Sequence, residues 1–292
     1  MYNENKINKW GILITLGLTP LFFLSTRYGT IRNDVKKENY IDYANQSQFN
    51  CVGTIIIESR AMGSCVLIDK DWIITAAHNF ETEEELTQML FVVGDDTVKG
   101  KEVYIHPKYE KKDVDLALIK LERSLATNPA LIYNGNSELD AEASFVGYGV
   151  FGTASHPSLD EHNQLKIAGT NMIDQIGGKI AGVMKFEKHL LLSDFDEPND
   201  TVTNRIGEDK PLPLEYQMNG GDSGGGVFIK ENGKWYLVGI ISGNWIKMKY
   251  DAKLGYGVLD SDYFDAHGTY GSVDMAVRLS VFKKWIQNIK KE

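Results

Sequence analysis

The sequence predicts an all-β protein, built either as a sandwich or as a pair of barrels. Short runs rich in β-branched residues recur along most of the chain, and polar or glycine-containing turns separate them, which is typical of strands. Stretches with helical periodicity are few and brief, so long helices do not alternate with the strands. At 292 residues the chain is long enough to bury a substantial core.

The predicted elements fall on both sides of Asn128–Leu139, a stretch without a strong strand pattern that we expect to separate two halves. The predicted strands are Val52–Ile57, Ser64–Ile68, Trp72–Thr75, Leu90–Val93, Val103–Ile105, Leu116–Leu121, Ser144–Val146, Lys166–Met172, His189–Leu192, Gly226–Ile229, Trp235–Ile241 and Asp274–Leu279. A short acidic helix is predicted over Glu81–Gln88. A terminal helix is predicted over Ser280–Ile289, where an apolar residue recurs every four positions, at Val281, Trp285 and Ile289.

Composition excludes several classes of partner and cofactor. The net charge of -9 and the lack of a basic cluster argue against nucleic acid. Cys51 and Cys65 are too few for a disulfide framework, and they are either one bridge or two buried thiols. Histidines and cysteines do not occur at metal-ligand spacing, so we predict neither a metal site nor another cofactor.

The N-terminal region predicts export. Lys6 and Lys9 precede an apolar run, residues 10–24, that resembles a secretory signal more than a membrane span of about 20 residues. An uncleaved anchor is the alternative, and it would be the protein's only membrane contact. Residues 1–25 are therefore excluded from the fold, and the polar residues 26–50 are interpreted as an approach segment or a propeptide.

Three stretches carry residue types suited to nucleophilic catalysis. Gly220–Gly226 sets five glycines around Asp222 and Ser223, so the backbone can turn tightly there. Ile73–His78 is an apolar strand ending in a histidine, which can serve as a general base near neutral pH. Asp113–Leu121 places Asp115 just ahead of an apolar strand. Taken singly, each has an ordinary explanation as a turn, a strand end or a cap.

Taken in order, the three stretches resemble the trypsin/chymotrypsin-like serine proteases. The motifs are Thr75-Ala-Ala-His78, Asp115-Leu-Ala-Leu118 and Gly221-Asp-Ser-Gly-Gly225, and His-Asp-Ser is that family's chain order. Gly147-Tyr148-Gly149, Trp235–Gly243 and Ala276–Ile286 are similar to later landmarks of the family. The likeness extends over roughly residues 50–290. The low cysteine content of the chain is similar to that of exported bacterial members of the family.

The resemblance implies a chymotrypsin-like fold of two packed six-stranded antiparallel Greek-key β-barrels with a C-terminal α-helix. Residues 51–135 would form the first barrel, with His78 and Asp115. Residues 136–279 would form the second, with Ser223, and residues 280–292 the helix.

The resemblance also implies roles for individual residues. Ser223 would be the nucleophile, His78 the base and then the acid, and Asp115 the carboxylate that orients the imidazole. The backbone N–H groups of Gly221 and Ser223 would form the oxyanion hole. The implied activity is a serine endopeptidase acting on proteins or peptides through an acyl-enzyme. The alternatives are a catalytically silent homologue that serves as a binding module and a narrow regulatory protease.

Asp222 has a loop-shaping role in the family, where its carboxylate pairs with a newly cut amino terminus. The usual Ile-Val-Gly-Gly start is missing here, and Ile31-Arg-Asn-Asp34 matches it poorly. We therefore expect a cation beside Asp222, either a new terminus near Thr30–Ile31 or the side chain of Arg32. A carboxylate bonded to N–H groups of its own turn is the alternative.

The substrate pocket is the part of the resemblance that departs most from the family. Gln217 stands at the pocket base, where trypsin-like enzymes have an aspartate. Asp274 falls on a pocket wall in the resemblance, where it would bring an acidic group into the pocket. The alternative is an aspartate that merely ends a strand. The strand that would line the cleft contributes Ser242, Gly243 and Asn244. We expect the aromatic-rich segment Trp245–Tyr270 to border the same cleft.

Overall fold

A computed structural model describes residues 31–58, 60–80, 86, 88–112, 114–156, 165–180, 184–245, 248–251, 256–259 and 261–291. Residues 1–25 and most of the predicted helix Glu81–Gln88 lie outside these residues. The described chain forms a closed six-stranded barrel, a seven-stranded sheet and a two-stranded hairpin. The expected all-β fold, built from two packed β-units, is confirmed.

The first unit is a closed antiparallel barrel with the strand order β1-β2-β3-β6-β5-β4. Its strands are β1 (Val52–Ile57), β2 (Arg60–Asp69), β3 (Trp72–Thr75), β4 (Met89–Val93), β5 (Asp96–Ile105) and β6 (Ala117–Leu121). Every residue of β3 is buried, so this strand crosses the core. Cys51 and Cys65 are free thiols in this unit, and burial raises the pKa of Cys51 to about 12.

The second unit has seven strands instead of the expected six, in the order β8-β7-β11-β12-β15-β10-β9. These are β7 (Glu142–Gly147), β8 (Ile167–Met172), β9 (Gln175–Ile180), β10 (Met184–Asp194), β11 (Gly226–Glu231), β12 (Lys234–Trp245) and β15 (Val273–Arg278). The two end strands β8 and β9 follow each other in the chain, so the sheet must curl round on itself. The unpredicted strand is β9, whose Gly177 and Gly178 weaken its strand pattern.

The remaining elements are short. The helices are α1 (Lys37–Ala44), α2 (Tyr109–Lys112), α3 (Ser261–His267) and α4 (Lys283–Ile289), and the hairpin pairs β13 (Met248–Asp251) with β14 (Tyr256–Leu259). The C-terminal helix forms as predicted, but the predicted start was wrong because Leu279–Val281 is a 3-10 turn. Val281 is therefore 52% exposed instead of lying on the apolar stripe. None of the described helices has the length and apolar content to cross a membrane.

The segment between β6 and β7 runs from one unit to the other. Ala130 donates to the carbonyl of Leu67 in the barrel at 2.8 Å, whereas Leu131 and Tyr133 exchange backbone bonds with Leu237 in the sheet. We therefore keep the division into residues 51–135 and 136–279 as our proposal for the two structural halves.

Residues 31–50 pack on the second unit. Ile31 forms isolated β-bridges to Tyr216 and Thr153, and helix α1 lies against β8. Phe49 is fully buried, and the centroid of its ring lies 5.5 Å from that of Phe228 and 5.4 Å from that of Trp235. This part of the predicted approach segment is thus continuous with the core.

A group of buried carboxylates lies in the second unit beside β10. Asp194, Asp196 and Glu215 are almost fully buried. Burial raises the pKa of Asp174 and of Asp196 to about 8 and that of Asp194 to about 6, and neighbouring carboxylates add to the shift of Asp174 and Asp196. The folded protein therefore holds protons that the unfolded chain, with aspartate pKa values near 3.9, would release.

We expect Phe49→Ala to lower the free energy of unfolding by roughly 3–5 kcal/mol, because it leaves a cavity among packed aromatic rings. Urea denaturation of the protein measures this. Val202→Ala, at a side chain that is 63% exposed, is the matched control and should change stability by less than about 0.5 kcal/mol. If residues 31–50 were a detachable segment, the two variants would behave alike.

We expect the free energy of unfolding to fall as the pH rises from about 4 to about 8, because the folded state binds more protons over this window. Asp196→Asn removes one of these groups and should flatten the fall, so that the variant gains most at pH 8. Urea denaturation at pH 5 and pH 8 tests this, with the exposed Asp209→Asn as the control. An equal effect of the two substitutions at both pH values would contradict it.

Candidate active site

The local fold after β3 places His78 beside Asp115. Strand β3 ends at Thr75, and after Ala76 the chain forms a 3-10 turn, Ala77–Asn79, which contains His78. The backbone N–H of His78 donates to Asp115 Oδ1 at 2.9 Å, and the ring Nδ1 lies 2.6 Å from Asp115 Oδ2. Because one carboxylate binds both the main chain and the ring, the imidazole is fixed in position and orientation.

Asp115 is held in a dry place just ahead of β6. It is 6% exposed, and Ser242 Oγ also donates to its Oδ2 at 2.6 Å. Burial alone would raise its pKa, but the hydrogen bonds from His78 and Ser242 outweigh it and hold the pKa below the ordinary value. The carboxylate therefore stays ionised and keeps accepting the bond from the imidazole.

Ser223 completes the constellation from the other β-unit. Its Oγ lies 2.7 Å from His78 Nε2. Two glycines with positive φ flank it, Gly221 at 94° and Gly224 at 87°. A Cβ on Gly224 would lie only 2.0 Å from Thr75 Oγ1, so a larger residue cannot fit there. The glycine-rich stretch is therefore a tight loop pressed against the first barrel.

Three hydrogen bonds from Ser64 and Asn79 join this loop to the first barrel. The N–H of Ser64 donates to the carbonyl of Ser223 at 2.8 Å, and Asn79 Nδ2 donates to the same oxygen at 3.1 Å. Ser64 Oγ also donates to the Gly221 carbonyl at 2.8 Å. Ser64 and Asn79 were not predicted as site residues, because nothing in their local sequence indicates a contact with Gly221 or Ser223, which lie more than 140 positions later in the chain.

Two backbone N–H groups near Ser223 have no acceptor among the residues that the structure describes. The carbonyl of Gly220 accepts from the N–H of Val150 at 2.8 Å, so in a trans peptide the N–H of Gly221 points the opposite way. Within the described part of the chain, neither this N–H nor that of Ser223 donates to an acceptor. Two such donors side by side can bind a developing oxyanion.

Asp222 is fully buried behind the loop and has three neutral donors. Gly149 N–H donates to its Oδ1 at 2.8 Å, while Asn219 N–H and the Tyr216 hydroxyl donate to Oδ2 at 2.9 and 2.7 Å. The expectation that Arg32 is its cation is wrong. Arg32 instead binds Asp34 and the carbonyl of Leu212, because these acceptors lie next to it.

The Gly147-Tyr148-Gly149 motif has a physical explanation in this contact. A Cβ on Gly147 or on Gly149 would lie 2.3 Å from an oxygen of Asp222. Only glycines at both positions let the chain pass so close to the buried carboxylate. The Tyr148 N–H is bonded to Ser64 Oγ at 2.9 Å, which ties the motif to the first barrel as well.

Most of the predicted pocket residues converge on Met218. Asp274 Oδ2 accepts from the Met218 N–H at 2.8 Å, and Asn244 Nδ2 donates to the Met218 carbonyl at 2.9 Å. Gln217 is completely buried. Both of its amide atoms and the Oδ1 of Asp274 lack a partner among the described residues. Burial raises the pKa of Asp274 well above its usual value.

The other two predicted pocket residues lie on β12. Gly243 is opposite Met275 of β15, next to the pair formed by Asn244 and Asp274. Ser242, however, turns its hydroxyl to Asp115, so it lies with the His78–Asp115 pair instead of with the residues around Met218. The segment Trp245–Tyr270 follows these residues and contains the β13–β14 hairpin and α3.

One further cluster was not predicted. Glu197, Asp200 and His267 bring ligand-type atoms within 4.8 Å of one another. His267 Nδ1 lies 2.7 Å from Glu197 Oε2, so a hydrogen bond between these two side chains accounts for the contact. The sequence could not indicate it, because Glu197 and Asp200 follow β10 whereas His267 ends α3, 70 positions after Glu197.

Comparison with known families and proteins agrees with this geometry. A model of the trypsin family matches residues 41–259. The chain is 26% identical over 204 residues to vitamin K-dependent protein C of Rattus norvegicus, which covers 64% of this chain and 42% of that protein. It is 25% identical over 225 residues to atrial natriuretic peptide-converting enzyme of Homo sapiens, covering 68% of this chain and 19% of that protein. The chain thus spans less than half the length of these relatives.

The family match covers well over half of the chain and includes His78, Asp115 and Ser223. It also fits the closed barrel and the curled second sheet. The chain belongs to the trypsin family of serine proteases.

Proposed function

We propose that the protein is an exported serine endopeptidase that hydrolyses peptide bonds of proteins or peptides through an acyl-enzyme intermediate. One observation carries the proposal, the hydrogen-bonded chain of Asp115, His78 and Ser223, with contacts of 2.6 and 2.7 Å. Family membership supports a protease, and the basic, apolar N-terminal stretch supports export.

The proposed chemistry follows the mechanism of the family. Ser223 Oγ attacks the scissile carbonyl carbon while His78 Nε2 removes its proton. Asp115 accepts the bond from Nδ1–H and stabilises the imidazolium that forms. The N–H groups of Gly221 and Ser223 bind the negative carbonyl oxygen of the tetrahedral intermediate.

Collapse of that intermediate breaks the C–N bond. The imidazolium of His78 gives its Nε2 proton to the departing amine, which leaves the acyl group on Ser223. Water then attacks the ester with His78 again as the base, and a second collapse regenerates the serine hydroxyl and releases the new carboxyl terminus.

A catalytically silent homologue that acts as a binding module is the alternative. It is not favoured, because the three side chains stand within hydrogen-bond distance and the two N–H groups beside Ser223 are not engaged by described residues. A module without catalysis would not depend on keeping this alignment.

We expect a fluorophosphonate to label the wild-type protein on Ser223 and not to label Ser223→Ala. In Asp115→Asn the imidazole loses the acceptor that selects its tautomer, and kcat should fall by roughly 10⁴-fold, the size known for the triad of this family. Mass spectrometry locates the label, and hydrolysis of a peptide library gives kcat.

Asp71→Asn is the matched control, since the contact of this carboxylate in the described chain is an ion pair with Lys120, in which both side chains are 31% exposed. It should leave labelling and kcat unchanged. Equal labelling of Ser223→Ala and wild type, or the absence of label on a folded wild type, would overturn the enzymatic function in favour of the binding module.

We expect substrates with a polar side chain at the residue before the cut to be preferred over those with a large apolar one. The unpartnered amide of Gln217 and carboxylate oxygen of Asp274 would each regain a hydrogen-bond partner only from a polar side chain. A peptide library varied at that position measures the preference, and Asp274→Ala should shift it. A preference for phenylalanine or leucine in the wild type would contradict this assignment of the pocket.

A further inference from the structure

The carboxylate of Asp222 is satisfied entirely by groups of the uncut chain. It is 0% exposed, and its two oxygens accept three hydrogen bonds, from Gly149, Asn219 and Tyr216. A buried carboxylate that lacked donors would be very costly. Neutral donors therefore occupy the place that a cleaved amino terminus takes in the family.

Tyr216 is the side-chain donor of the three, and it is held firmly. It is fully buried, its N–H donates to the carbonyl of Thr170 at 3.0 Å, and it forms a β-bridge with Ile31. Gly169 leaves room for it, since a Cβ there would lie 2.4 Å from the Tyr216 Cβ. Its hydroxyl is thus aimed at Asp222 by the fold itself.

Ile31, the residue nearest the expected activating cut, is committed to other contacts. Its N–H donates to the carbonyl of Gly152 at 3.3 Å and its carbonyl accepts from Ala154 at 3.0 Å. Its side chain is 1% exposed. In this arrangement Ile31 supports Tyr216 through the β-bridge and does not send a terminus to Asp222.

We infer that Tyr216 is the positioning residue that sets the oxyanion loop through Asp222, so that the uncut chain already has its catalytic shape and needs no cleavage before Ile31. The inference rests on the proposed function for its catalytic meaning, but the loop geometry can be tested separately.

Charge and geometry agree with this role. Burial raises the pKa of Asp222 to about 6, while the bonds from Tyr216, Asn219 and Gly149 act in the opposite direction. The carboxylate is consequently ionised at pH 8, where all three donors can point at it. The backbone carbonyl of Asp222 also stabilises the loop, because it accepts a hydrogen bond from the Gly225 N–H at 2.8 Å.

Tyr216→Phe removes only the hydroxyl that reaches Asp222. Tyr40→Phe is the matched control, because Tyr40 is also fully buried and its hydroxyl donates to the carbonyl of Glu215 instead, at 2.9 Å. Each variant loses the bond that its buried hydroxyl donates, and Tyr40→Phe also loses the longer bond of 3.4 Å that this hydroxyl accepts from the Arg32 N–H. A general loss of stability would therefore affect both.

The loop is followed by backbone hydrogen exchange at pH 8 in the uncut protein, at the amides of Asp222 and Gly225, which bond within the turn. We expect protection in the wild type and in Tyr40→Phe, and faster exchange in Tyr216→Phe. Activity on a peptide substrate should fall about 10- to 100-fold in Tyr216→Phe, the worth of one hydrogen bond to a charged group, mainly through kcat.

A third sample has a specific cleavage sequence inserted before Ile31, so that a new amino terminus can be made at will. We expect cutting to leave exchange of the loop and kcat unchanged. Cutting that protects the loop or raises kcat tenfold or more would overturn the inference, and so would equal exchange in Tyr216→Phe and Tyr40→Phe. A protected loop in a protein that no fluorophosphonate labels would instead refute the proposed function and leave the positioning role of Tyr216 standing.

Discussion

The constraint on which the site depends is the seam between the two β-units. His78 and Asp115 come from the barrel and Ser223 from the sheet, so the hydrogen bonds among them require the two units to stay docked. The bonds from Ser64 and Asn79 to the Ser223 carbonyl act from the barrel side, and the bond from Ser242 to Asp115 acts from the sheet side. A small rotation of one unit would break all of them together.

A buried charge imposes the shape of the loop within that seam. Asp222 must be surrounded by donors, and the donors must approach closely, so Gly147 and Gly149 can carry no side chain. Turning the Gly220 carbonyl to Val150 presents the Gly221 N–H to the opposite side. The direction of the Gly221 N–H, one of the two proposed oxyanion donors, is therefore set in the same loop that satisfies this carboxylate.

The sequence predicted the β-fold, the first barrel and the stretches that carry His78, Asp115 and Ser223, because these depend on local pattern and on motifs. It failed where the outcome depends on distant contacts. The expected partner of Asp222 was a cation near the N-terminus. The side chain that donates to it is instead Tyr216, only six residues upstream, in a stretch with no motif of its own. Strand β9 was not predicted, because its glycines weaken the strand pattern. Val281 was assigned to the last helix, but it lies in the 3-10 turn that precedes this helix.

Replacing an ammonium by neutral donors changes the electrostatics of the loop. An ammonium would offset the charge of Asp222 with one contact, whereas neutral groups need three and still leave its pKa raised to about 6. Such donors are available only if the elements that supply them are already folded. Ile31 packs with Tyr216 in one core cluster and Phe49 packs in another, which makes residues 31–50 part of that folded frame. The role that we infer for Tyr216 therefore requires residues 31–50 to stay in place, which would confine any processing of the chain to sites before Ile31.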